Sequence, residues 1–367
     1  MSMTGKYIYG IIPQRSLSRV EPKDAGQVNS EALVREKAKM QASGVTTCEQ
    51  VYTIPYEDIS AIVSDSKIID YAYMPKDAVA RLLLRHQMVI ESIIPEYIVI
   101  PMKLGTFASE EDEVRDILNK GHMLIKDIFE KIGGKIEIDV VATWGDFNST
   151  LKKIGEEKKI KEFKEKVLAN PEGITVEDQM KVGVMAKKAL DEKREKYALQ
   201  IQNALKAVSR DIKKHSLMDD KMVANAAFLI EKAGRGDFDK KIEELNTQFH
   251  DELNFRCVGP LPPYSFYTLE AKKMRFEEID WARKRFGLSD FATEDEIKKA
   301  HQRLAFSSHP DKNPDTPGME KEFDEVTRAY KILLDYTKAL KQTGQRDICS
   351  FKEEEFKKNA ILVEVRE

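Results

Sequence analysis

Cysteine is scarce and scattered. The 367 residues hold three, Cys48, Cys257 and Cys349, with no C-x-x-C pair and no cluster among them. That spacing excludes a disulfide framework and a thiolate metal site, and it fits a reducing compartment, so a cytoplasmic location is expected. Long apolar runs are missing as well. The longest, YIVIPM (97–102) and AAFLI (226–230), are strand-sized, well short of the roughly 18 residues of a spanning helix. The N-terminal MSMTGKYIYGIIPQ lacks the basic-then-apolar pattern of a secretory signal. No charge of one sign dominates: 60 Lys and Arg face 63 Asp and Glu, a formal net charge of −3. Such a chain has no global field to draw it to nucleic acid or to an anionic membrane, so neither is expected as a partner. A P-loop, a GxGxxG and an HExxH are all absent. His86 and His122 sit on helical stretches without a nearby Cys, Ser or acid pattern that makes a nucleophilic or metal constellation. No enzyme activity, cofactor or metal is expected.

What is plentiful is charge, 34% of residues beside 41% apolar ones, the balance of a soluble chain with material for two or three cores. KYIYGII (6–12) reads as a buried strand ending at Pro13, and residues 14–48 as a polar, irregular or partly helical excursion. Val51–Ile54 and Ile59–Val63 flank a turn and predict a hairpin. MPKDAVARLLLRHQMVIESII (74–94) has helical spacing, and YIVIPMKLGTF (97–107) is a strand running into a turn at Gly105. SEEDEVRDILNKGHMLIKDIFEKIGG (109–134) opens on Ser and acids and closes on two glycines, the ends of a capped helix. KIEIDVVATWGD (135–146) alternates like a strand.

Residues 147–216 are dense in Lys and Glu, are broken by NPEG (170–173), and predict exposed amphipathic helices, the second over about 175–214. MVANAAFLIEKAG (222–234) follows as a strand, DFDKKIEELNTQFHDEL (237–253) as a helix, and NFRCVGPLPPYSFYTLE (254–270) as a strand with a proline-rich exit. The expected fold class is α+β. An N-terminal α+β domain spans 1–134, and a second spans 135–270 with a charged helical insertion at about 150–215. A small helical unit covers 278–340, and the tail 341–367 ends in AILVEVRE, a strand able to return to an earlier sheet. There is no repeat of fixed period.

The helical unit has an internal logic. Thr293 and Glu296 form a T-x-x-E capping box. Ile297, Ala300, Leu304 and Ala305 share one face of the helix that follows, and Phe323, Val326, Tyr330 and Leu333 make a matching stripe on the next. Packed antiparallel, the stripes bury each other and leave His309-Pro310-Asp311 in the turn between them. A bare His-Pro-Asp is also an ordinary turn, because Pro sets φ and Asp bonds its own backbone. Here the arrangement IKKA…RLA…HPDKNP…F…AY resembles a J domain, the module through which DnaJ-type co-chaperones stimulate a DnaK-type chaperone. The resemblance implies that Lys298, Lys299 and Arg303 present a basic face to that chaperone, and that His309 and Asp311 are the contacts that trigger hydrolysis. Lys298 and Lys299 also stand one turn from Glu294 and Asp295, where pairing is possible. Ser307 and Ser308 stand where the family often has a basic residue and an aromatic, and His301 where Tyr is common, which thins the basic face.

The body resembles the L/F family of gas vesicle accessory proteins over about residues 5–267. KYIYGII, HQMVIESIIPEYIVIPMKLGTFASEEDEV and NAAFLIEKAG…NFRCVGPLPPYSF carry the resemblance. It implies two α+β domains, the second a modified ferredoxin-like fold, and partners among the hydrophobic vesicle shell protein and other accessory proteins. GPLPPYSF reads as a rigid extended segment near polyproline II. Its Pro260, Pro262, Pro263, Tyr264 and Phe266 serve either as a crossover packed into the core or as a partner-docking strip. The resulting expectation is a non-enzymatic assembly factor, cytoplasmic and vesicle-associated, that recruits a DnaK-type chaperone. The alternatives are a structural vesicle component with an inactive tail and a general J-type co-chaperone.

Overall fold

The computed structural model describes residues 4–14, 50–69, 71, 74–169, 173–312, 317–342, 344, 348–358 and 360–366. The excursion expected at 14–48, apart from Gln14, and the Asn313-Pro314-Asp315 part of the loop signature lie outside the described residues. The chain divides into two compact units, residues 1–131 with 267–367, and residues 132–266.

The first unit opens with β1 (Thr4–Pro13), whose Tyr7, Ile8, Tyr9, Ile11 and Ile12 are buried on both faces. β2 (Val51–Tyr56) and β3 (Ile59–Lys67) form the hairpin over Glu57-Asp58. Helix α1 (Lys76–Ile93) follows, then the short strands β4 (Ile100–Pro101) and β5 (Phe107–Ala108). The sheet order is β2-β3-β1-β4, with β5 also on β1 and every pairing antiparallel. Helix α2 (Glu111–Ile132) carries three acids in its first turn and Lys131 in its last, the distribution that suits the helix dipole. Its Val114, Ile117, Leu118, Ile125 and Ile128 are buried at helical spacing.

The second unit runs β6 (Lys135–Trp144), α3 (Phe147–Gly155), α4 (Lys158–Leu168), α5 (Val176–Lys206), β7 (Asp211–Lys214), β8 (Met222–Glu231), α6 (Arg235–Gln248) and β9 (Leu253–Leu261). Its sheet order β7-β8-β6-β9, all antiparallel, is the ferredoxin-like arrangement with several helices in the first crossover. Ile136, Ile138, Val140, Ala142 and Trp144 of β6 line one core with Phe228, Ile230 and Phe238. Two expectations are corrected here. The charged helices are not simply solvated: Ile154, Ile160, Leu190, Ile201 and Leu205 join that core, because a sparse apolar stripe suffices when a sheet face is there to receive it. The last helix stops at Lys206, and residues 211–214 form an edge strand instead, where ladder bonds to β8 outweigh the helix propensity of DIKK.

The remainder of the first unit is β10 (Leu269–Lys273), α7 (Phe276–Arg285), β11 (Phe291–Ala292), α8 (Glu294–Ser308), α9 (Met319–Gln342), β12 (Cys349–Ser350), α10 (Glu353–Lys358) and β13 (Ile361–Val365). The helices enclose their own core of Ile279, Ala282, Phe286, Ile297, Ala300, Val326, Ala329, Leu333, Tyr336, Phe351 and Phe356. Strand β13 pairs antiparallel with β10, from Leu269↔Val365 to Lys273↔Ile361, so the helical module begins and ends on one ribbon. That ribbon is tied to the N-terminal sheet: Lys103 N donates to Leu269 O at 2.7 Å, and Lys103 pairs with Glu270 at 2.6 Å. Lys273 reaches Glu113 of α2 at 2.6 Å. Gly121 of α2 is what lets the ribbon approach, since a Cβ there would lie 2.8 Å from Val363 Cγ1. On the module side Lys272 pairs with Asp335 at 3.3 Å, and Gln342 bonds the backbone of Val363.

Candidate functional site

The loop of the helical module is built from its cap outward. Thr293 Oγ1 accepts from Glu296 N at 3.2 Å, and Glu296 Oε2 accepts from Thr293 N at 2.7 Å. This reciprocal box sets where α8 starts and therefore which residues turn outward. Ile297 and Ala300 are buried and Leu304 and Ala305 half-buried toward α9, so Lys298, Lys299 and Arg303 are exposed. Lys298 pairs with Glu294 at 2.7 Å, and Lys341 also bonds Glu294. Those two ammonium groups hold the Glu294 carboxyl down at about 2. Lys299 and Arg303 have no ion pair among the described residues.

His309 ends α8 in an extended conformation, and Pro310–Lys312 follow as a 3-10 turn. Asp311 N donates to His309 Nδ1 at 3.2 Å, which places the proton of the neutral ring on Nε2. The imidazole stands edge-on to Phe323 at 5.3 Å, and the Asp311 side chain is 89% exposed, open to an incoming partner. The structure thus brings His309, Pro310 and Asp311 to the end of the face that carries Lys299 and Arg303, with Lys298 on the same helix drawn to Glu294. The unusual residues have local partners. Ser307 and Ser308 both donate to Leu304 O, at 2.9 and 2.8 Å. His301 stacks on Tyr330 with centroids 3.8 Å apart, and burial lowers its pKa, so a neutral ring fills the place of an aromatic.

The GPLPPYSF segment differs from its extended reading. Gly259 and Pro260 belong to β9 and are joined by a cis peptide, and Tyr264–Tyr267 forms one helical turn. Pro262 and Pro263 are buried, Tyr264 and Phe266 half-buried and Pro260 exposed, so the five do not line one open strip. Gly259 has φ +146°, and a Cβ would stand 2.8 Å from Glu137 O. Gly259→Ala is accordingly expected to cost about 3 kcal/mol, read as a lowered denaturant midpoint of the second unit.

The residue that holds this segment was not singled out from the sequence. Ser265 donates from N to Glu137 Oε2 at 2.9 Å and from Oγ to Glu137 Oε1 at 2.7 Å, and the same Oγ lies 3.1 Å from His215 Nε2. Glu137 is 1% exposed, and burial pushes its carboxyl up to about 7 against the pull of the Ser265 hydrogen bonds. Burial raises Asp139 too. The available signal was Glu137 and Asp139 at i and i+2 on a strand whose other face is wholly apolar.

The reading of His122 as lacking acid partners is corrected. Its Nε2 lies 2.6 Å from Asp58 Oδ1 and 3.3 Å from Glu57 Oε2, acids of a hairpin turn distant in sequence. Among the described residues these three form the group compact enough to hold a metal ion, but Lys126 already bonds Asp58 Oδ2 at 2.9 Å. Lys126 and His122 hold the Asp58 carboxyl at about 2. His86 is a core residue that meets Tyr7 Oη at 2.7 Å through Nδ1.

Fold and loop together define a two-domain α+β body carrying a J-type helical module. Residues 5–268 match the family described as gas vesicle synthesis protein GvpL/GvpF, and residues 284–341 match the DnaJ domain. The chain belongs to the GvpL/GvpF family. It is 22% identical over 241 residues to gas vesicle protein F of Haloferax mediterranei, covering 65% of this chain and 91% of that protein. Over 47 residues it is 57% identical to the chaperone protein DnaJ of Chlorobium phaeobacteroides, which is 13% of this chain and 12% of that protein. The crystal structure of GvpF from Anabaena sp. PCC7120 superposes with a TM-score of 0.57 at 19% identity, covering 72% of this chain and 98% of that one. GvpF from Microcystis aeruginosa gives 0.53 at 20% identity, covering 72% and 99%.

Proposed function

We propose that the protein is a non-enzymatic factor of gas vesicle assembly that binds the hydrophobic shell protein or other vesicle accessory proteins in the cytoplasm and recruits a DnaK-type chaperone through its J-type module. The observation that carries this reading is the loop: His309 and Asp311 at the end of α8, beside Lys299 and Arg303, which form no ion pair among the described residues. An apolar shell protein aggregates unless it is shielded before polymerisation, and coupling its binder to a chaperone supplies that shield. Chaperone surfaces that receive a basic helix are acidic, so association is expected to weaken with salt.

The test is the ATPase of a DnaK-type chaperone with the full chain. The wild-type chain is expected to stimulate turnover, and His309→Gln to reduce that stimulation at least about tenfold. Equal stimulation by both chains would overturn the chaperone half of the proposal. Flotation of cells lacking the protein, rescued by wild type, tests the vesicle half. A second reading, a vesicle component with an uncoupled module, is favoured by Ser307 and Ser308, whose hydroxyls turn back onto Leu304, and by the pairing of Lys298 with Glu294. Rescue by wild type and His309→Gln alike would support it.

A further inference from the structure

The face of the second sheet opposite its apolar core carries a polar cluster that the proposed function does not use. Glu137 and Asp139 lie on that face of β6, two residues apart. Register places Leu229 of β8 and Leu261 of β9 beside Glu137, and Ala227 and Val258 beside Asp139. The carboxyls are therefore flanked by apolar side chains. The charged residues on the same face are Lys135 of β6 itself, Glu231 of β8 opposite it, Asp211 and Lys213 of β7, one strand beyond β8, and Arg256 of β9, which pairs with Val141. None of these makes an ion pair with Glu137 or Asp139 among the described residues. The titratable neighbour is His215, just after β7, whose backbone N donates to Asn225 O at 2.8 Å.

Into this setting comes Ser265, bonding Glu137 through N at 2.9 Å and through Oγ at 2.7 Å, with His215 Nε2 3.1 Å from the same Oγ. Asp139 Oδ1 is buried without a hydrogen-bond partner among the described residues. Two neighbouring carboxyls without a paired cation, one of them shut off from water, do not both ionise readily. A single proton between them removes the repulsion. Ser265 lies at the exit of this unit, since the chain leaves it after Phe266.

We propose that Glu137 and Asp139 share one proton and that, while it is held, the two bonds Ser265 donates to Glu137 latch residues 262–266 onto the sheet, making the exit of the second unit a clasp that loosens as the proton is lost. Loss of the proton puts two negative charges side by side under an apolar cover. Opening the clasp lets water reach them and releases Tyr264 and Phe266. The burial that pushes Glu137 up to about 7 sets the range near neutrality. The sign follows: the free carboxyl ionises at lower pH than the latched one, so opening is favoured progressively as pH rises through that range.

The test is amide hydrogen exchange of the full chain, corrected for the intrinsic pH dependence of exchange, at Tyr264, Ser265 and Phe266. Between about pH 6 and pH 8.5 protection at Ser265 should fall about tenfold, while Leu245 in α6 of the same unit stays the better protected at every pH. Glu137→Gln cannot take part in the titration and should make Ser265 protection independent of pH, and Asp139→Asn should shrink the fall. Protection that is flat or rises with pH in the wild type would overturn the proposal, as would protection at Ser265 equal to that at Leu245, which would show the whole unit opening. A fall that survives in Glu137→Gln would overturn it too.

Discussion

Val363→Asp is expected to release the helical module from the N-terminal sheet while leaving both folded. Val363 and Leu362 are 0% exposed, and Val363 lies over Gly121, with Gln342 bonding its backbone. Each of these aliphatic side chains contributes about 1.5–3 kcal/mol by its burial. An unpaired carboxylate in that position cannot stay buried, so the ribbon should separate at a cost on the order of 4 kcal/mol. The module keeps its own core, from Ile279 through Phe356, and so should still fold. The expected readout is a new proteolytic cut beside Lys273 and loss of hydrogen-exchange protection along 361–365. Gly121→Val attacks the same contact from α2, and the two substitutions together should cost less than their sum, because either one already removes the contact. A chain whose ribbon protection is unchanged by Val363→Asp would show that the strand does not hold the module. The consequence for function is positional. A chaperone recruited at His309 would be held at a set place against the N-terminal sheet rather than swung on a linker.

Acidification is expected to shift the two units in opposite directions. His86 is 3% exposed, and burial lowers its pKa to about 4. Its folded state stays neutral while the unfolded chain takes up a proton below the usual value near 6.5. Stability of the first unit is therefore full above that value and is lost as pH falls, by about 3 kcal/mol at pH 4. Asp58 and Glu294, both held at about 2 by cationic neighbours, act in the same direction, with an effect diminished by their exposure. Glu137 acts oppositely. Its carboxyl sits at about 7 when folded, so ionising it works against the fold, and the second unit gains about 3 kcal/mol on going from neutral to about pH 4.5. Melting followed unit by unit with local probes should show the first transition falling and the second rising over this range. His86→Gln keeps an acceptor for Tyr7 but cannot titrate, and should flatten the first curve. Parallel shifts of both transitions would contradict the assignment of these groups.

Much of this molecule was legible in short stretches. The cap at Thr293 and Glu296, the stripes on α8 and α9, the hairpin over Glu57-Asp58 and the alternation along β6 depend on neighbours within a turn or a pleat. Their energetics are local, and the residue types declare them. The His-Pro-Asp loop was legible for the same reason: two periodic helices place it before any tertiary contact is known.

What escaped belongs to contacts between distant residues. Ser265 meets Glu137 across 128 positions and His122 meets Asp58 across 64, and nothing near either partner announces the other. Strand 211–214 has a charged, helix-tolerant sequence and is strand only because β8 offers it a ladder. The stripe of α5 counted as core only once a sheet lay beneath it. By itself the sequence determined most of the elements, the cap at Thr293 and the loop chemistry of the J-type module. Tertiary structure alone decided that the last strand would clip this module to the N-terminal sheet, and that a strand carboxyl would be sealed from water beneath Ser265. Burial and long-range pairing are properties of the assembled chain, and they convert an ordinary Glu or Gly into a proton site or a point of close approach.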